Sequence, residues 1–184
     1  MKIVWNFSAS IFGVGGKSAK LAFVGLDNTG KTTLIHLLNV DFGPKDGYPE
    51  PITIDNTRYT LVDTGGMARR PLKNYLPGID GVIFLVDASD YDRFREAKEL
   101  LHSLLQMEEV GKKTPFLILG NKIDHASAVS EEELRDALGI SLSDTGNEMA
   151  IRPTGKGQMA LGDETRPLEL FMCSVVMRQG LPVW

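Results

Sequence analysis

Eight consecutive residues carry the densest chemistry in this chain. Gly25, Leu26, Asp27, Asn28, Thr29, Gly30, Lys31 and Thr32 read G-x-x-x-x-G-K-[ST]. The spacing suits a grip on an oligophosphate. Its glycines allow backbone N–H groups from Asp27 through Thr33 to curl around phosphate oxygens, and a helix starting at Lys31 adds its positive end. Lys31 can reach the outer phosphates, and the Thr32 hydroxyl can ligate Mg²⁺. A second stretch, "LVDTGG", ends an apolar run on Asp63 and follows it with Thr64, Gly65 and Gly66. A carboxylate beside a phosphate loop supplies the metal-side acceptor, usually through water. The Gly66 N–H can approach a terminal phosphate with no Cβ in the way.

A third stretch, "GNKID", speaks to the base. It follows an apolar strand, so Asn121, Lys122 and Asp124 emerge at the same sheet edge as the phosphate loop. The Asp124 carboxylate can accept two hydrogen bonds from guanine N1 and N2. Adenine offers no such pair of donors, which argues against an ATP-using kinase. Lys122 can lay its alkyl stem over the base, and Asn121 can tie this loop to the phosphate turn. "CSVV" closes the set: Ser174 and Val175 stand where a backbone N–H can meet guanine O6, and Cys173 reads as a small buried residue.

These groups need a sheet to hold them. "KLAFVG" reads as a buried strand leading into the phosphate turn, and a helix follows from Lys31 to about Asn39. "DFGPKDGYPEP" (41–51) reads as a loop. "ITI" and "RYTLVD" form a hairpin across Asp55-Asn56. "GVIFLVD" (81–87) and "PFLILGNKID" (115–124) are near-continuous apolar runs, as expected for central parallel strands covered on both faces. Between them Phe94, Ala97, Leu101, Leu104 and Leu105 recur at helical spacing behind an Asp cap, with His102 on the solvent side. Ser130 and Glu133 open a further helix with a capping box. Residues 141–167 read as one long polar loop, and "PLELFMC" as the last strand. The alternation predicts an α/β protein with an open, mostly parallel sheet and ligands at the carboxyl ends of its strands.

Composition bounds the rest. At 184 residues the chain suits one domain, with 42% hydrophobic and 24% charged residues. The net charge of −4 argues against nonspecific nucleic-acid binding. A lone cysteine cannot form an internal disulfide, so a reducing compartment is expected. The first sixteen residues, "MKIVWNFSASIFGVGG", place Ile3, Phe7, Ile11 and Val14 on one helical face, widened by Trp5 and Phe12. Two readings stand: a segment docked on the domain's own core, or an amphipathic helix lying in a membrane interface. Lysine at residue 2 rules out N-myristoylation.

With those residues in place the chain resembles the Sar-type small GTPases, the secretion-associated members of the Arf/Sar branch of the Ras superfamily. The carrying stretches are "FVGLDNTGKTTLIHLL", "KNYLP", "GVIFLVDASD", "LILGNKIDH", "TGKG" and "RPLELFMCSVVMRQG". The resemblance implies a P-loop NTPase fold with helices on both faces of the sheet, an amphipathic segment at 1–16 and a GTP-binding domain at 17–184. It implies GTP and GDP with Mg²⁺ as ligands, and Thr32 and Asp63 on the metal. Hydrolysis to GDP and phosphate would take place with Lys31 and Gly66 at the γ-phosphate. It further implies a cytoplasmic switch, peripheral on endoplasmic reticulum and Golgi membranes, attached through residues 1–14. Its expected partners are the inner coat of coat protein complex II and that pathway's exchange factor and GTPase-activating protein.

Several features depart from the family pattern. Met67 stands where the family has a water-positioning histidine, ahead of Arg69 and Arg70, which belong to the pattern as switch-helix ion pairs. The family's proline-threonine pair, whose threonine covers Mg²⁺, has no counterpart in "GPKDGYPEP". The terminal helix expected behind the last strand is missing before Trp184, which should bare apolar sheet surface. Weak hydrolysis is therefore expected, with a nucleotide-binding but hydrolysis-deficient scaffold as the alternative.

Overall fold

Every second residue of the central strands is apolar toward one face and its neighbour is apolar toward the other, so two cores form at once. The computed structural model describes residues 18–42, 51–54, 56–65, 72–140, 152–153, 158–161 and 164–180. In it β1 (Ser18–Val24) lies between β3 (Thr57–Asp63) and β4 (Gly81–Asp87), parallel to both. β5 (Phe116–Asn121) continues the parallel set beside β4, and β8 (Glu164–Met172) beside β5. β2 (Ile52–Ile54) closes one edge, antiparallel to β3. With β6 (Arg152–Pro153) and β7 (Gln158–Leu161) at the far edge, the full order is β2-β3-β1-β4-β5-β8-β7-β6.

One core gathers Ala22, Val24, Phe84, Val86, Phe116 and Ile118 from the sheet, against α2 (Phe94–Gln106) and α3 (Glu131–Leu138). The other sets Leu21, Phe23, Ile83, Leu85, Leu117 and Leu119 on the opposite face, with Leu34, Ile35 and Leu38 of α1 (Lys31–Phe42). Strands buried on both faces explain why β4 and β5 read as unbroken apolar runs rather than as alternation. The open α/β sheet, the antiparallel pairing of β2 with β3 and the Ser130–Glu133 capping box all stand as the sequence predicts.

Several expectations are corrected. The first helix runs beyond Asn39 to Phe42: the Asn39 side chain bonds back to the Ile35 carbonyl at 2.9 Å, and Phe42 packs against the second core. The stretch 141–167 is not one loop. β6 (Arg152–Pro153) and β7 (Gln158–Leu161) form an antiparallel extension on β8, which itself begins at Glu164. β5 pairs only with Leu168–Met172 of β8, so the backbone of the first half of that strand would have an open edge; β7 fills it. No aspartate side chain caps α2; a single 3-10 turn (Tyr91–Arg93) leads into it instead. His102 is half-buried rather than on the solvent side, its Nε2 at 3.1 Å from the Leu138 carbonyl, because α2 and α3 pack on each other there. The sheet face expected to be bare is covered at β5, where Leu117 and Leu119 are buried. Among the described residues no helix follows β8. The amphipathic segment at 1–16, Gly66, Met67, Arg69, Arg70, 43–50 and the "TGKG" stretch lie outside the described residues.

Candidate nucleotide-binding site

The phosphate-type loop hangs between the end of β1 and the start of α1, at the carboxyl edge of the sheet. Gly25 has a φ of +146°, and a Cβ there would collide with the Leu85 carbonyl. Gly30, at φ +99°, leaves the space taken by the Asn121 amide nitrogen. Glycine at both positions is therefore a matter of close packing as well as of backbone freedom. Asn28 adopts the left-handed region at φ +60°, a conformation asparagine tolerates better than most residues. It is exposed, as are Asp27, Thr32 and Thr33, while Thr29 and Lys31 are buried.

Lys31 turns inward. Its ammonium donates to the Leu26 carbonyl and reaches Thr29 Oγ1 at 3.4 Å. Burial pulls its pKa below the ordinary lysine value, against the opposing charges of Asp63 and Asp27. The helix begins at Lys31, with the Leu34 N–H on the Gly30 carbonyl at 2.9 Å. The first-turn amides, which have no partner within a helix, are thus left at the loop.

Asp63, at the end of β3, meets Thr32 directly: the Thr32 hydroxyl donates to Asp63 Oδ2 at 2.7 Å. The Gly65 N–H donates to Asp63 Oδ1, also at 2.7 Å, and fixes the carboxylate's rotation. Thr64 pins the turn by donating through its hydroxyl to the Phe23 carbonyl at 2.8 Å. A hydroxyl and a carboxylate held together beside a phosphate loop are a donor set that fits Mg²⁺. Among the described residues no cluster of three or more His, Cys, Asp or Glu could cage a cation unaided, so such an ion would need phosphate oxygens to complete its shell.

On the base side, Asn121 ends β5 buried. Its Nδ2 donates to the Thr29 carbonyl at 2.8 Å and its Oδ1 accepts the Val175 N–H at 2.9 Å. Lys122 follows at φ +71° and forms an ion pair with Asp87 Oδ2 at 2.6 Å. Burial alone would raise the Asp87 carboxyl, but hydrogen bonds from Lys122 and Ser89, with the Lys122 charge, hold it below the usual range. Asp124 is exposed, and a hydrogen bond from the Ser174 side chain keeps its carboxyl low. The Ser174 N–H is taken by the Gln179 carbonyl at 2.8 Å. Both amides expected to face guanine O6, those of Ser174 and Val175, are therefore engaged within the protein. Cys173 is fully buried and its thiol is pushed up to about 12 by burial, in keeping with an inert packing residue.

Sequence reasoning brought Thr32 to Asp63 and Asn121 to the phosphate turn. Two charged residues at the end of β4 and just beyond it carry no such signal on their own. Arg93 Nη2 meets Asp27 Oδ1 at 2.6 Å, and Asp87 meets Lys122. The run "VDASDYDR" shows only charge directly after a buried strand end.

The chain has relatives among known proteins. A profile of the ADP-ribosylation factor family (Arf) matches residues 6–183. A Giardia intestinalis protein named small COPII coat GTPase SAR1 is 37% identical over 184 residues, spanning 96% of this chain and 91% of that one. A Nicotiana tabacum protein of the same name is 35% identical over 181 residues, spanning 91% of this chain and 86% of that one. With a phosphate loop, an Asp63 turn and an Asn-Lys-Ile-Asp loop converging on one sheet edge, this chain belongs to the ADP-ribosylation factor family, as a Sar-type small GTPase.

Proposed function

We propose that the chain is a guanine-nucleotide switch acting in assembly of the coat protein complex II vesicle coat, at the endoplasmic reticulum and Golgi. One observation carries the nucleotide part. Asn121 joins the phosphate loop, the Asn-Lys-Ile-Asp loop and the turn after β8 through a single buried side chain. A ligand lying across those three segments would present phosphates to Asp27–Thr33 and a base to Lys122 and Asp124. Ser174 would orient the Asp124 carboxylate for the base's paired donors. Thr32 and Asp63 would hold Mg²⁺, which supplies charge neutralisation on the phosphate oxygens.

The coat assignment rests on the names of the relatives. The membrane assignment rests on the apolar face of residues 1–14; among the described residues no helix is long and apolar enough to cross a membrane. Inner coat subunits, an exchange factor and a GTPase-activating protein are the partners this role requires. Met67, in place of a water-positioning histidine, favours a second form of the reading, a scaffold that binds GTP and hydrolyses it weakly.

The test is the nucleotide that travels with the purified protein. Guanine nucleotide released on denaturation, and GDP binding far tighter than ADP by calorimetry, are the expected results. Equal binding of GDP and ADP would end the guanine assignment. Flotation with liposomes that is lost on deleting residues 1–14 is expected for the membrane part; unchanged flotation would remove it.

A further inference from the structure

The segment between β4 and α2, residues 87–93, touches both halves of the site at once. At its start Asp87 takes the Lys122 ammonium at 2.6 Å, with only 12% and 22% of the two side chains exposed. Ser89 locks that carboxylate from the other side, its N–H at 3.0 Å and its hydroxyl at 2.6 Å from Asp87 Oδ1. At its end Arg93 reaches the phosphate loop, with Nη2 on Asp27 Oδ1 at 2.6 Å and Nη1 on the Asp27 carbonyl at 3.4 Å. Glu96 holds the same guanidinium at 3.0 Å through Nε. The Ala88 N–H, between the two contacts, donates to the Asn121 carbonyl at 2.8 Å.

We infer that residues 87–93 form a brace in which Asp87 and Arg93 are positioning residues, the first for the base-side Lys122 and the second for the phosphate loop at Asp27. The inference rests on the guanine-nucleotide reading for its functional consequence, though not for its geometry.

The physics of the two ends differs. Lys122 is held in the left-handed region, and a long flexible side chain there has many rotamers to lose. A carboxylate already fixed by two hydrogen bonds selects one of them, keeping the alkyl stem across the sheet edge. Asp27 precedes Asn28, the left-handed residue of the phosphate loop. Arg93 grips both the side chain and the carbonyl of Asp27, so it fixes the peptide plane through which the chain enters that turn. Asp27 is 80% exposed on its side chain, so salt screens this end far more than the half-hidden Asp87–Lys122 end. A cleft lined by Leu26, Asp27, Asp87, Asp90, Arg93 and Phe94 lies beside these contacts.

The test uses the full chain with Arg93→Gln, Arg93→Lys and Asp87→Asn, and Arg95→Gln as the control. Arg95 makes a comparable exposed ion pair with Glu99 on the same helix but touches neither loop. Hydrogen exchange is expected to quicken severalfold over residues 25–32 in Arg93→Gln and over 121–125 in Asp87→Asn, each sparing the other region. Release of a fluorescent GDP analogue is expected to speed about tenfold in both. Arg93→Lys should fall between Arg93→Gln and the parent, because it keeps the charge and loses the fork. Rising salt should quicken release from the parent toward the Arg93→Gln rate while moving Arg93→Gln itself little, because the screened pair is already absent there. Parental exchange in both brace variants, or the same loosening in Arg95→Gln, would overturn the brace. Local loosening in a protein whose parent binds no GDP would leave the brace standing and overturn the nucleotide reading instead.

Discussion

The side-chain amide of Asn121 and the carbonyl of Thr29 meet at 2.8 Å across 92 residues of sequence. That bond couples two loops which otherwise share no covalent neighbourhood. The other end of the same amide accepts from Val175, so the turn after β8 is tied in as well. Gly30 makes the approach possible, since any Cβ there would occupy the position of Asn121 Nδ2. Removing the amide strands a buried N–H and leaves a carbonyl without its donor, each costing about 1–3 kcal/mol. Asn121→Ala is expected to lower unfolding free energy by roughly 2–4 kcal/mol, read from urea denaturation. A loss under about 0.5 kcal/mol, the scale of an ordinary surface change, would show that water replaces the amide.

Asp124 is placed differently, because it is exposed and supports the fold little. Its neighbour Ser174 orients it, and the expected cost of Asp124→Asn falls on ligand binding. GDP affinity should drop by roughly thirtyfold or more, the scale of losing a charge-assisted pair of hydrogen bonds. The melting temperature should hardly move. Calorimetry of GDP binding beside a thermal melt separates the two effects, and a large shift in melting with unchanged affinity would contradict this placement.

Much of this arrangement is legible in the amino-acid sequence. The phosphate loop, the Asp63 turn and the Asn-Lys-Ile-Asp loop each carry their chemistry in consecutive residues, and two-sided burial made β4 and β5 read as continuous apolar runs. What stayed hidden depends on contacts between distant elements. The run "VDASDYDR" shows charge after a buried strand end but does not name Asp27 as the partner of Arg93, and His102 looks solvent-facing until α3 is packed against α2. The β6–β7 extension was hidden because its strands are only two and four residues long; it forms where β8 outruns β5, and that overhang belongs to the sheet's register.

Cys173 offers a check on the packing. The thiol is fully buried, and burial raises it to about 12. An acid whose folded pKa lies above its unfolded value of 9.0 keeps its contribution to stability below pH 9.0. That contribution is lost as the pH rises from there toward 12. Native protein at pH 8 is therefore expected to resist iodoacetamide, with alkylation appearing only as denaturant unfolds it. Rapid stoichiometric labelling of the folded protein would mean that the β8 end opens freely.

At α3 the reciprocal capping box is complete: the Glu133 N–H donates to Ser130 Oγ at 3.2 Å, and the Ser130 N–H to Glu133 Oε2 at 2.8 Å. Ser130→Ala is expected to cost about 1 kcal/mol at neutral pH. Hydrogen bonds from Ser130 hold the Glu133 carboxyl below its ordinary 4.5, so its contribution is present above that value and fades as the pH falls through the lower folded one. Melts of parent and variant should converge in acid. A gap that persists unchanged at pH 3 would assign the effect to Ser130 alone.

Hydrolysis is the sharpest test, and it turns on Met67. On the proposed reading, hydrolysis would call for Mg²⁺ at Thr32 and Asp63, Lys31 and the Gly66 N–H at the γ-phosphate, and a water standing in line. The Thr32–Asp63 pair is assembled at 2.7 Å, so GTP is expected to bind with Mg²⁺. A thioether cannot orient the water, since sulfur is at best a weak acceptor and no donor. An arginine delivered by an activating protein adds about 10³–10⁵-fold in related systems, but it stabilises charge that only an attacking water can create. Intrinsic turnover is therefore expected near background, with little response to a Sar-directed activating protein. Met67→His is expected to restore only part of the rate. Single-turnover assays of parent and variant, with and without activator, decide the matter. If the parent responds to the activator by about a hundredfold, which is still below the full arginine effect, another residue positions the water and the scaffold reading falls.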